Sequence, residues 1–393
     1  MTVHARDYSN GMTCLWTGNA AASEFTAAIA RHCDAGQHGF ALVFYSPHLL
    51  NGAQLCEHLQ TAAPDLTVAG CSTAGELTPD GLDDHSAVAI LFPANRFSVS
   101  TCVLEDITTR GMDDIAAQAS HMREQLLARP GASVEQAFAI SLIDGLTYAE
   151  ESVTSSIYRG LIDIPLIGGS AGDDLTFSGT RQICNGQEHT GSAVLILVQS
   201  SLPFKTFTSR NFVPTDARFV VTESSPEHRN VREFNAEPAA RAYASALNLD
   251  ISELTPAVFA SNPVVVRVGG EYYCRSIQKV EADESLTFFC AIDDGIVLTL
   301  AKSIGMAAAT NTTLSQIHSA IGEPPVVLGF DCIYRRLDAS NRGVNQNISL
   351  LYSENNVIGF ATYGEQFNSM HVNQTFTGIA FGREPDGAQQ HAR

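Results

Sequence analysis

Hydroxyl and carboxyl side chains gather in three short glycine-containing turns of the sequence. In chain order these residues are Ser72, Thr73, Glu76, Ser170, Asp173, Thr362 and Glu365. Hydroxyl and carboxylate groups form the charge-assisted hydrogen bonds that hold the ammonium groups of small molecules. If the three turns converge in the fold, we expect them to line a pocket for an amino-acid-like ligand.

The second turn also matches a catalytic pattern. Gly168-Gly-Ser170-Ala-Gly172 has the G-x-S-x-G spacing of a nucleophile elbow, in which a helix directly after the serine helps to stabilise an oxyanion. The residues after Gly172 are turn-forming, and the carboxylates of Asp173 and Asp174 would oppose an oxyanion. The first turn, GCSTAG, lacks the pattern. We therefore predict no hydrolytic activity and attribute the glycines to the backbone geometry of a turn.

Histidine and cysteine spacings argue against a zinc site built by the protein alone. The sequence has no H-x-x-x-H or H-E-x-x-H pair, and no C-x-x-C pair among its nine cysteines. His48 follows the first predicted strand, where loops contact ligands in α/β sheets, but a solvated loop is its simpler interpretation. An odd number of cysteines without disulfide spacing is typical of free thiols in a reducing cytoplasm.

Two stretches of the chain, 40–77 and 138–175, align without a gap. Each contains a short apolar run, a segment with apolar residues at helical spacing, and a second apolar run that ends at a glycine. We predict that they form equivalent strand–helix–strand units, with Gly70 and Gly168 at the same turn. Another apolar run follows each of them and predicts one more strand.

A weaker third copy lies near the C-terminus. Residues 357–365 repeat the pattern of residues 68–76 at a valine, two glycines, a threonine and a glutamate, and a strand-like run follows. The three copies predict a mixed α/β fold, and a length of 393 residues, long for one hydrophobic core, predicts two domains. We place the first domain at 1–228, with the duplicated unit at 40–92 and 138–198, and the second domain, with the related unit, at 229–393.

The charge balance limits the classes of partner. The 393 residues carry 23 lysines and arginines against 42 aspartates and glutamates, a formal net charge of −19. Such a surface repels phosphate backbones and anionic lipids, so we expect no nucleic-acid or membrane partner. The longest uninterrupted apolar run, 193–198, has the length of a strand and falls far short of a membrane span. With a start that lacks a signal-peptide pattern, these features predict a cytoplasmic protein.

Four strings in the sequence resemble the FIST family. GCSTAGEL at 70–77 and GGSAGDDL at 168–175 are similar to the FIST N domain, and VVLGFDCIYRR at 326–336 and GFATYGEQFNSMHVNQTFTGIAFG at 359–382 are similar to the FIST C domain. The resemblance extends over most of the chain. It implies a bacterial sensory protein for signal transduction that binds a small ligand such as an amino acid and is not an enzyme.

The chain also resembles the bacterial nitric-oxide-sensing haemoproteins called NosP. That resemblance implies haem b as the cofactor, nitric oxide as the signal, and a histidine kinase of a two-component system or a cyclic-di-GMP enzyme as the partner. It indicates His371 as the axial ligand of the haem iron, beside Met370, and Arg335 and Arg336 as partners of the haem propionates. Cys332 is an alternative thiolate ligand, and a histidine hydrogen-bonded to a turn is the structural alternative for His371. A metal-free sensor with its organic ligand in the three turns stays open, as does a homodimer.

Overall fold

The three glycine-containing stretches fold into three similar units. The computed structural model describes residues 2–33, 36–268, 270–322 and 324–383. Within these residues the chain is a mixed α/β protein, which confirms the predicted fold class, and its strands form three related sheets and a further sheet in an insertion. None of the helices in these ranges combines the length and the apolar character that crossing a bilayer requires.

The first unit places two helices between its strands. Its strands are β1 His4–Asp7, β2 Thr13–Thr17, β3 His38–Tyr45, β4 Thr67–Ser72, β5 Glu76–Thr78, β6 Gly81–Asp83 and β7 Ala87–Pro93. Its helices are α1 Ala22–Cys33, before β3, and α2 Gly52–Ala62, between β3 and β4.

The second unit repeats this order of elements. Its strands are β8 Phe97–Leu104, β9 Ala137–Asp144, β10 Leu166–Ala171, β11 Gln182–Cys184, β12 Gln187–His189 and β13 Ala193–Ser200. Its helices are α3 Met112–Leu127, before β9, and α4 Glu150–Leu161, between β9 and β10.

The third unit begins with β14 Phe204–Arg210 and is interrupted by an insertion. The insertion contains β15 Phe212–Ser225, β16 Asn230–Phe234, β17 Glu237–Pro238, α5 Ala239–Leu247, α6 Pro256–Ser261, β18 Val264–Val268, β19 Glu271–Arg275, β20 Ile277–Val280, β21 Leu286–Phe288 and β22 Val297–Ser303. The unit then resumes with α7 Met306–Ile321, β23 Val326–Cys332, α8 Ile333–Asn341, α9 Asn345–Glu354, β24 Val357–Thr362, β25 Glu365–Phe367, β26 Met370–Val372 and β27 Thr375–Phe381.

Each unit gives its short hairpin to the sheet of another unit. Hairpin β11–β12 extends the first sheet beside β4, β25–β26 extends the second sheet beside β10, and β5–β6 extends the third sheet beside β24. The exchange is cyclic, since the second unit extends the first sheet, the third unit extends the second sheet and the first unit extends the third sheet. Because the N–H and C=O groups of an exposed strand edge need partners, each unit depends on another to complete its sheet.

The inner faces of the three sheets share one apolar core. Phe44 of β3 packs on Phe360 of β24 with ring centroids 4.4 Å apart, and Phe360 packs on Phe330 of β23 at 5.5 Å. The helices pack on the outer faces of the sheets, so β3, β9 and β23 are buried on both sides. Strands buried on both sides carry apolar residues in succession, which explains the continuous apolar runs of the sequence.

A glycine at the same place in each unit lets two central strands approach closely. Gly70 and Gly168 are equivalent, as predicted, but they lie within β4 and β10 instead of in the turn. A Cβ at Gly70 would overlap the carbonyl oxygen of Val43, and one at Gly168 would overlap that of Ser141. The glycines therefore serve close backbone contact between neighbouring strands.

The sequence equivalence of the first two units ends at Gly172. Gln182 begins the hairpin β11–β12, as Glu76 begins the hairpin β5–β6, so these two residues are structural equivalents. Residues 173–180 are then an insertion in the second turn. The gapless alignment, which paired Glu76 with Asp174, is wrong beyond Gly172, because the inserted residues happen to continue the sequence pattern of the first turn.

The insertion of the third unit contacts the second unit around Arg229, and the nearby N–H of Ala291 donates to Glu151 Oε1 at 3.1 Å. The buried guanidinium of Arg229 donates from Nη2 to Glu150 Oε2 at 2.5 Å and to Glu151 Oε2 at 2.7 Å, both on α4. Its Nη1 donates to the carbonyl oxygen of Phe289 at 2.5 Å. Removing the cation would leave two carboxylates without a counter-charge, so this contact ties the insertion to the three-unit body. The predicted domain boundary at residue 228 directly precedes this arginine and stays a prediction.

Candidate functional site

Three backbone hydrogen bonds join the ends of β4, β10 and β24. The N–H groups of Gly172, Tyr363 and Ala74 donate to the carbonyl oxygens of Ser72 (3.1 Å), Ser170 (3.2 Å) and Ala361 (3.2 Å), respectively. Each bond runs from the turn of one unit to the strand end of another, so the three turns do converge. Together these turns, residues 72–76, 170–172 and 361–365, form the turn ring.

Glu76 holds the first turn from the interior of the protein. The Thr73 hydroxyl donates to one of its carboxyl oxygens, and the N–H and hydroxyl of Ser86 donate to the other at 3.1 and 2.8 Å. The side chain is fully buried, and the loss of solvation raises the pKa of Glu76 from 4.5 to about 8. The carboxyl group is therefore largely protonated at neutral pH and is a structural group.

The other two units carry the same interaction at the equivalent place. Glu365 receives the Thr362 hydroxyl on one oxygen and the N–H and hydroxyl of Thr375 on the other, at 3.2 and 2.6 Å. Burial raises the pKa of Glu365 to about 8 as well. In the second unit the Ser192 hydroxyl donates to Gln182 Oε1 at 3.0 Å. Since a protonated glutamate has nearly the shape of a glutamine, all three units place a neutral side chain here.

The two serines of the turn ring are also buried. Ser72 Oγ donates to the carbonyl oxygen of Gly172 at 2.7 Å, and Ser170 Oγ accepts from the side-chain amide of Gln366 at 3.0 Å. Ser170 has no exposed surface, and the N–H groups of Ser170 and Gly172 donate to the carbonyl oxygens of Gly364 (2.7 Å) and Ser72 (3.1 Å). These hydroxyls hold the strand ends together instead of facing a pocket.

Asp173 organises the inserted loop 173–180. Its carboxylate accepts the N–H groups of residues 177–179 at 2.7–3.0 Å and the hydroxyl of Tyr363. Burial alone would raise the pKa of Asp173, but these hydrogen bonds outweigh burial and hold it below its usual range. The groups that the sequence predicted as pocket walls are thus engaged in satisfying one another, as buried polar groups must be.

His371 lies on β26 beneath the third turn. It is 3% exposed, and its Nδ1 lies 3.4 Å from Nε2 of Gln366. Its Nε2 finds no hydrogen-bond partner among the described residues. Burial lowers the pKa of His371 to about 4, so the ring is neutral. A Cβ at Gly364 would overlap the imidazole, which shows how tightly the third turn packs on the ring.

The two arginines expected to bind haem propionates are both held in ion pairs, Arg335 with Asp331 and Arg336 with Asp84. Arg335 is fully buried between α7 and β23, where Nε donates to Asp331 Oδ1 at 2.5 Å and Nη2 donates to the Thr310 hydroxyl at 2.8 Å. Its guanidinium is held in this buried ion pair, and the prediction that it binds a propionate stays a prediction. Met370 is half-buried and pairs with Phe367 across the hairpin β25–β26.

A pocket of about 270 Å³ opens beside the turn ring and is called here the three-unit pocket. Asp84 and His85 line it from the first unit, Asp174 from the second and Arg336 of α8 from the third. Arg336 Nη2 donates to Asp84 Oδ1 at 2.7 Å. The pocket therefore brings a cation and two carboxylates from three separate parts of the chain to one space.

Two histidines face Asp174 next to this pocket. His48 Nδ1 lies 2.6 Å and His85 Nδ1 lies 3.7 Å from Oδ2 of Asp174, and the two rings are 5.0 Å apart. The hydroxyl of Ser46 also donates to Oδ2, at 2.6 Å. The Asp174 side chain is only 6% exposed, whereas those of His48 and His85 are 54% and 62% exposed. A fixed carboxylate thus meets two solvent-accessible imidazoles.

Spacing in the sequence could not reveal this cluster. Its members lie in three loops, because His48 follows β3, His85 precedes β7 and Asp174 belongs to the inserted loop. One signal was present: β3 and β7 are antiparallel neighbours, so the end of one and the start of the other lie at the same edge of the sheet. The sequence placed His48 after the first strand, at this edge, but favoured a solvated loop over a ligand contact for it.

Comparisons with known proteins identify the family. The FIST N domain matches residues 39–237 and the FIST C domain matches residues 239–368. An uncharacterised protein of Methanocaldococcus jannaschii is 24% identical over 274 residues. The match covers 59% of this chain and 51% of that protein, so this chain spans about half the length of the relative. A solved structure, cyanuric acid hydrolase from A. caulinodans, aligns over 97% of this chain and 100% of its own with a TM-score of 0.38 and 8% identity, a likeness too weak to bear on activity. The chain belongs to the FIST family, whose domains are sensory domains that bind small ligands.

Proposed function

We propose that this chain is a non-enzymatic FIST sensor whose ligand binds in the three-unit pocket. One observation carries the proposal: the guanidinium of Arg336 and the carboxylates of Asp84 and Asp174 line the same space of about 270 Å³. A zwitterion that carries a carboxylate and an ammonium group can form charge-assisted hydrogen bonds with both kinds of wall. An α-amino acid or a similarly small amphoteric molecule is the ligand class that matches these charges.

The same geometry supports a signalling role. Because the pocket walls come from three units, a ligand that contacts all of them favours one relative placement of those units over others. We expect the change to be transmitted in the cytoplasm to a partner of the chain, either a histidine kinase or a cyclic-di-GMP enzyme. The net charge of −19 supports a protein partner over nucleic acid.

Haem and nitric oxide form the second candidate, and one observation favours it. His371 is neutral and buried, and its Nε2 is unpartnered among the described residues, as an axial ligand would be before it binds iron. The surrounding residues do not fit a haem as they are arranged. Gly364 packs against the imidazole, Arg335 is held by Asp331, and Arg336 lines the three-unit pocket. Haem binding would require the hairpin β25–β26 to open.

Ligand titrations of the full chain test the first proposal. A panel of α-amino acids, added singly, should include one that raises the unfolding temperature, since a ligand at 100 times its Kd stabilises a protein by about 2.7 kcal/mol. The Arg336→Ala variant should bind that amino acid about tenfold more weakly or worse, because it loses a charge-assisted hydrogen bond. Arg232→Ala is the matched control, since Arg232 forms an exposed ion pair with Glu223 at 2.8 Å.

Two results would reject the amino-acid proposal. One is a wild-type chain that responds to no member of the panel, and the other is an Arg336→Ala variant that binds as tightly as the control. A parallel haemin titration separates the second candidate. A Soret band that forms with one equivalent in the wild type and is lost in His371→Ala would assign the sensor to haem.

A further inference from the structure

We propose that His48, His85 and Asp174 bind one divalent transition-metal ion of the zinc type. Their three ligand atoms, two Nδ1 atoms and one carboxylate oxygen, all lie within 4.8 Å of one another. Around tetrahedral zinc, bonds of about 2.0–2.2 Å place neighbouring ligand atoms about 3.3 Å apart. The observed separations from Asp174 Oδ2, 2.6 Å to His48 and 3.7 Å to His85, lie on either side of that value.

The chemistry of the three groups suits such an ion. Neutral imidazole and carboxylate are the ligands that zinc and the neighbouring transition metals share, whereas calcium and magnesium prefer oxygen ligands alone. Three protein ligands leave a coordination position open, which distinguishes a site for exchangeable ligands from a closed structural site. His85 and Asp174 line the three-unit pocket, so that position is accessible from it.

The ligands are held by contacts outside the metal position. The hydroxyl of Ser46 donates to Asp174 Oδ2 at 2.6 Å and accepts the N–H of His48 at 3.2 Å, so one serine links two ligands. The N–H of Asp174 donates to the carbonyl oxygen of Thr73 at 3.0 Å, which attaches the inserted loop to the turn ring. Such outer contacts orient metal ligands and raise affinity.

The internal repeat shows that the fold itself does not require these residues. The registers of the paired strands β3–β7, β9–β13 and β23–β27 identify the equivalent positions in the three units. Equivalent residues lie the same number of positions from the same paired residues. The equivalents of His48 are Leu146 and Tyr334, and the equivalents of His85 are Gly191 and Gln374. Asp174 comes from an insertion that the first and third units lack. If the fold needed these side chains, similar residues would occur in all three units. A binding role specific to His48, His85 and Asp174 therefore explains the two histidines better.

The metal site deepens the proposed function but does not depend on it. Amino acids chelate transition metals through their amino nitrogen and a carboxylate oxygen, so an ion here would add a direct bond to the pocket's recognition of such a ligand. That extension rests on the proposed function. Binding of the bare ion rests only on the three side chains, and the two are measured separately.

The test uses the full chain stripped of metal with a chelator and then titrated with Zn²⁺ against a chromogenic competitor. One equivalent should bind, and His48→Ala and His85→Ala should each lower the affinity at least tenfold. Titration with Co²⁺ should give visible absorption bands characteristic of nitrogen and oxygen ligands, and these should disappear in the double variant. Both imidazoles are more than half exposed, so the variants should stay folded, which circular dichroism checks.

His228→Ala is the matched control. His228 is an exposed histidine whose Nδ1 lies 3.2 Å from a carboxylate oxygen of Glu227. It should leave Zn²⁺ affinity unchanged. The proposal is overturned if the wild type binds no stoichiometric Zn²⁺, or if the His48/His85 double variant binds it as tightly as the control. An amino acid that binds equally well with and without Zn²⁺ would reject the extension while leaving the pocket proposal intact.

Discussion

The turn ring lies next to the corner formed by His48, His85 and Asp174. The contacts of the ring recur in all three units, whereas the residues of the corner occur in one place only. In the ring every unit donates the same backbone hydrogen bond and places a neutral glutamate or glutamine beneath its turn. In the corner none of the three positions is repeated. The difference shows which residues are needed to join the three units and which residues can vary without affecting the fold.

Burial accounts for the contrast. A polar group without exposed surface must find a partner, and a missing partner costs about 1–3 kcal/mol. Glu76, Glu365 and Gln182 are fully buried, so their hydroxyl partners are repeated with them. His48 and His85 are more than half exposed and can be satisfied by water. The fold therefore does not constrain which residues occupy positions 48 and 85, and a binding role can determine them.

The largest effect should come from breaking the close strand contact that all three units share. In Gly70→Ala the new Cβ would overlap the carbonyl oxygen of Val43, and this backbone atom has little room to move. We expect a loss of roughly 3 kcal/mol in the free energy of unfolding, measured with urea. Gly18→Ala is the control, because its new Cβ would have only one neighbour, at 3.9 Å. A Gly70→Ala variant as stable as this control would disprove the strand-contact explanation.

An intermediate effect should appear in the pH dependence of stability. Glu76 and Glu365 have pKa values raised to about 8 in the folded protein from an ordinary value of 4.5. The native state then holds protons that the unfolded chain releases. Their contribution is fully present below pH 4.5 and is lost as the pH rises through 8, with a slope of up to about 1.4 kcal/mol per pH unit for each residue.

Glutamine substitution should remove that slope. Because Gln182 already occupies the equivalent place, Glu76→Gln and Glu365→Gln should fold and flatten the curve of unfolding free energy between pH 5 and 8. The exposed Glu57→Gln on α2 should leave the curve as it is. If the double glutamine variant keeps the full pH slope, these carboxyl groups are not the protonated structural groups inferred here.

The smallest effect on stability should come from giving the corner the residues of the second unit. His48→Leu and His85→Gly introduce the residues found at 146 and 191. Each should change the free energy of unfolding by about 0.5 kcal/mol or less. His85→Gly can be slightly favourable, because His85 has a φ of 57° that glycine adopts at low cost. Loss of more than 2 kcal/mol in chemical denaturation would show that the fold needs these histidines.

Much of each unit could be predicted because its signals are local. Buried parallel strands leave continuous apolar runs, and the helices between them leave apolar residues at helical spacing. The string from Gly70 to Glu76 therefore predicted the first junction of strand and turn. The similar strings at 168–175 and 357–365 predicted the other two junctions. The sequence did not reveal the inserted loop 173–180. Asp174 and Leu175 resemble Glu76 and Leu77 in type and alignment, but they lie outside the hairpin.

By itself, the sequence determined the strand–helix–strand order of the units, their repetition and the family, since each depends on neighbours along the chain. Only the tertiary structure decided that each hairpin pairs with another unit's sheet, because the hydrogen-bonding edge of a short strand such as β25 does not specify its partner. That exchange brings the turns together, buries Glu76 and Glu365, and leaves His48, His85 and Asp174 facing one another. Contacts between residues distant in the chain follow from the closure of three sheets, which no local pattern encodes.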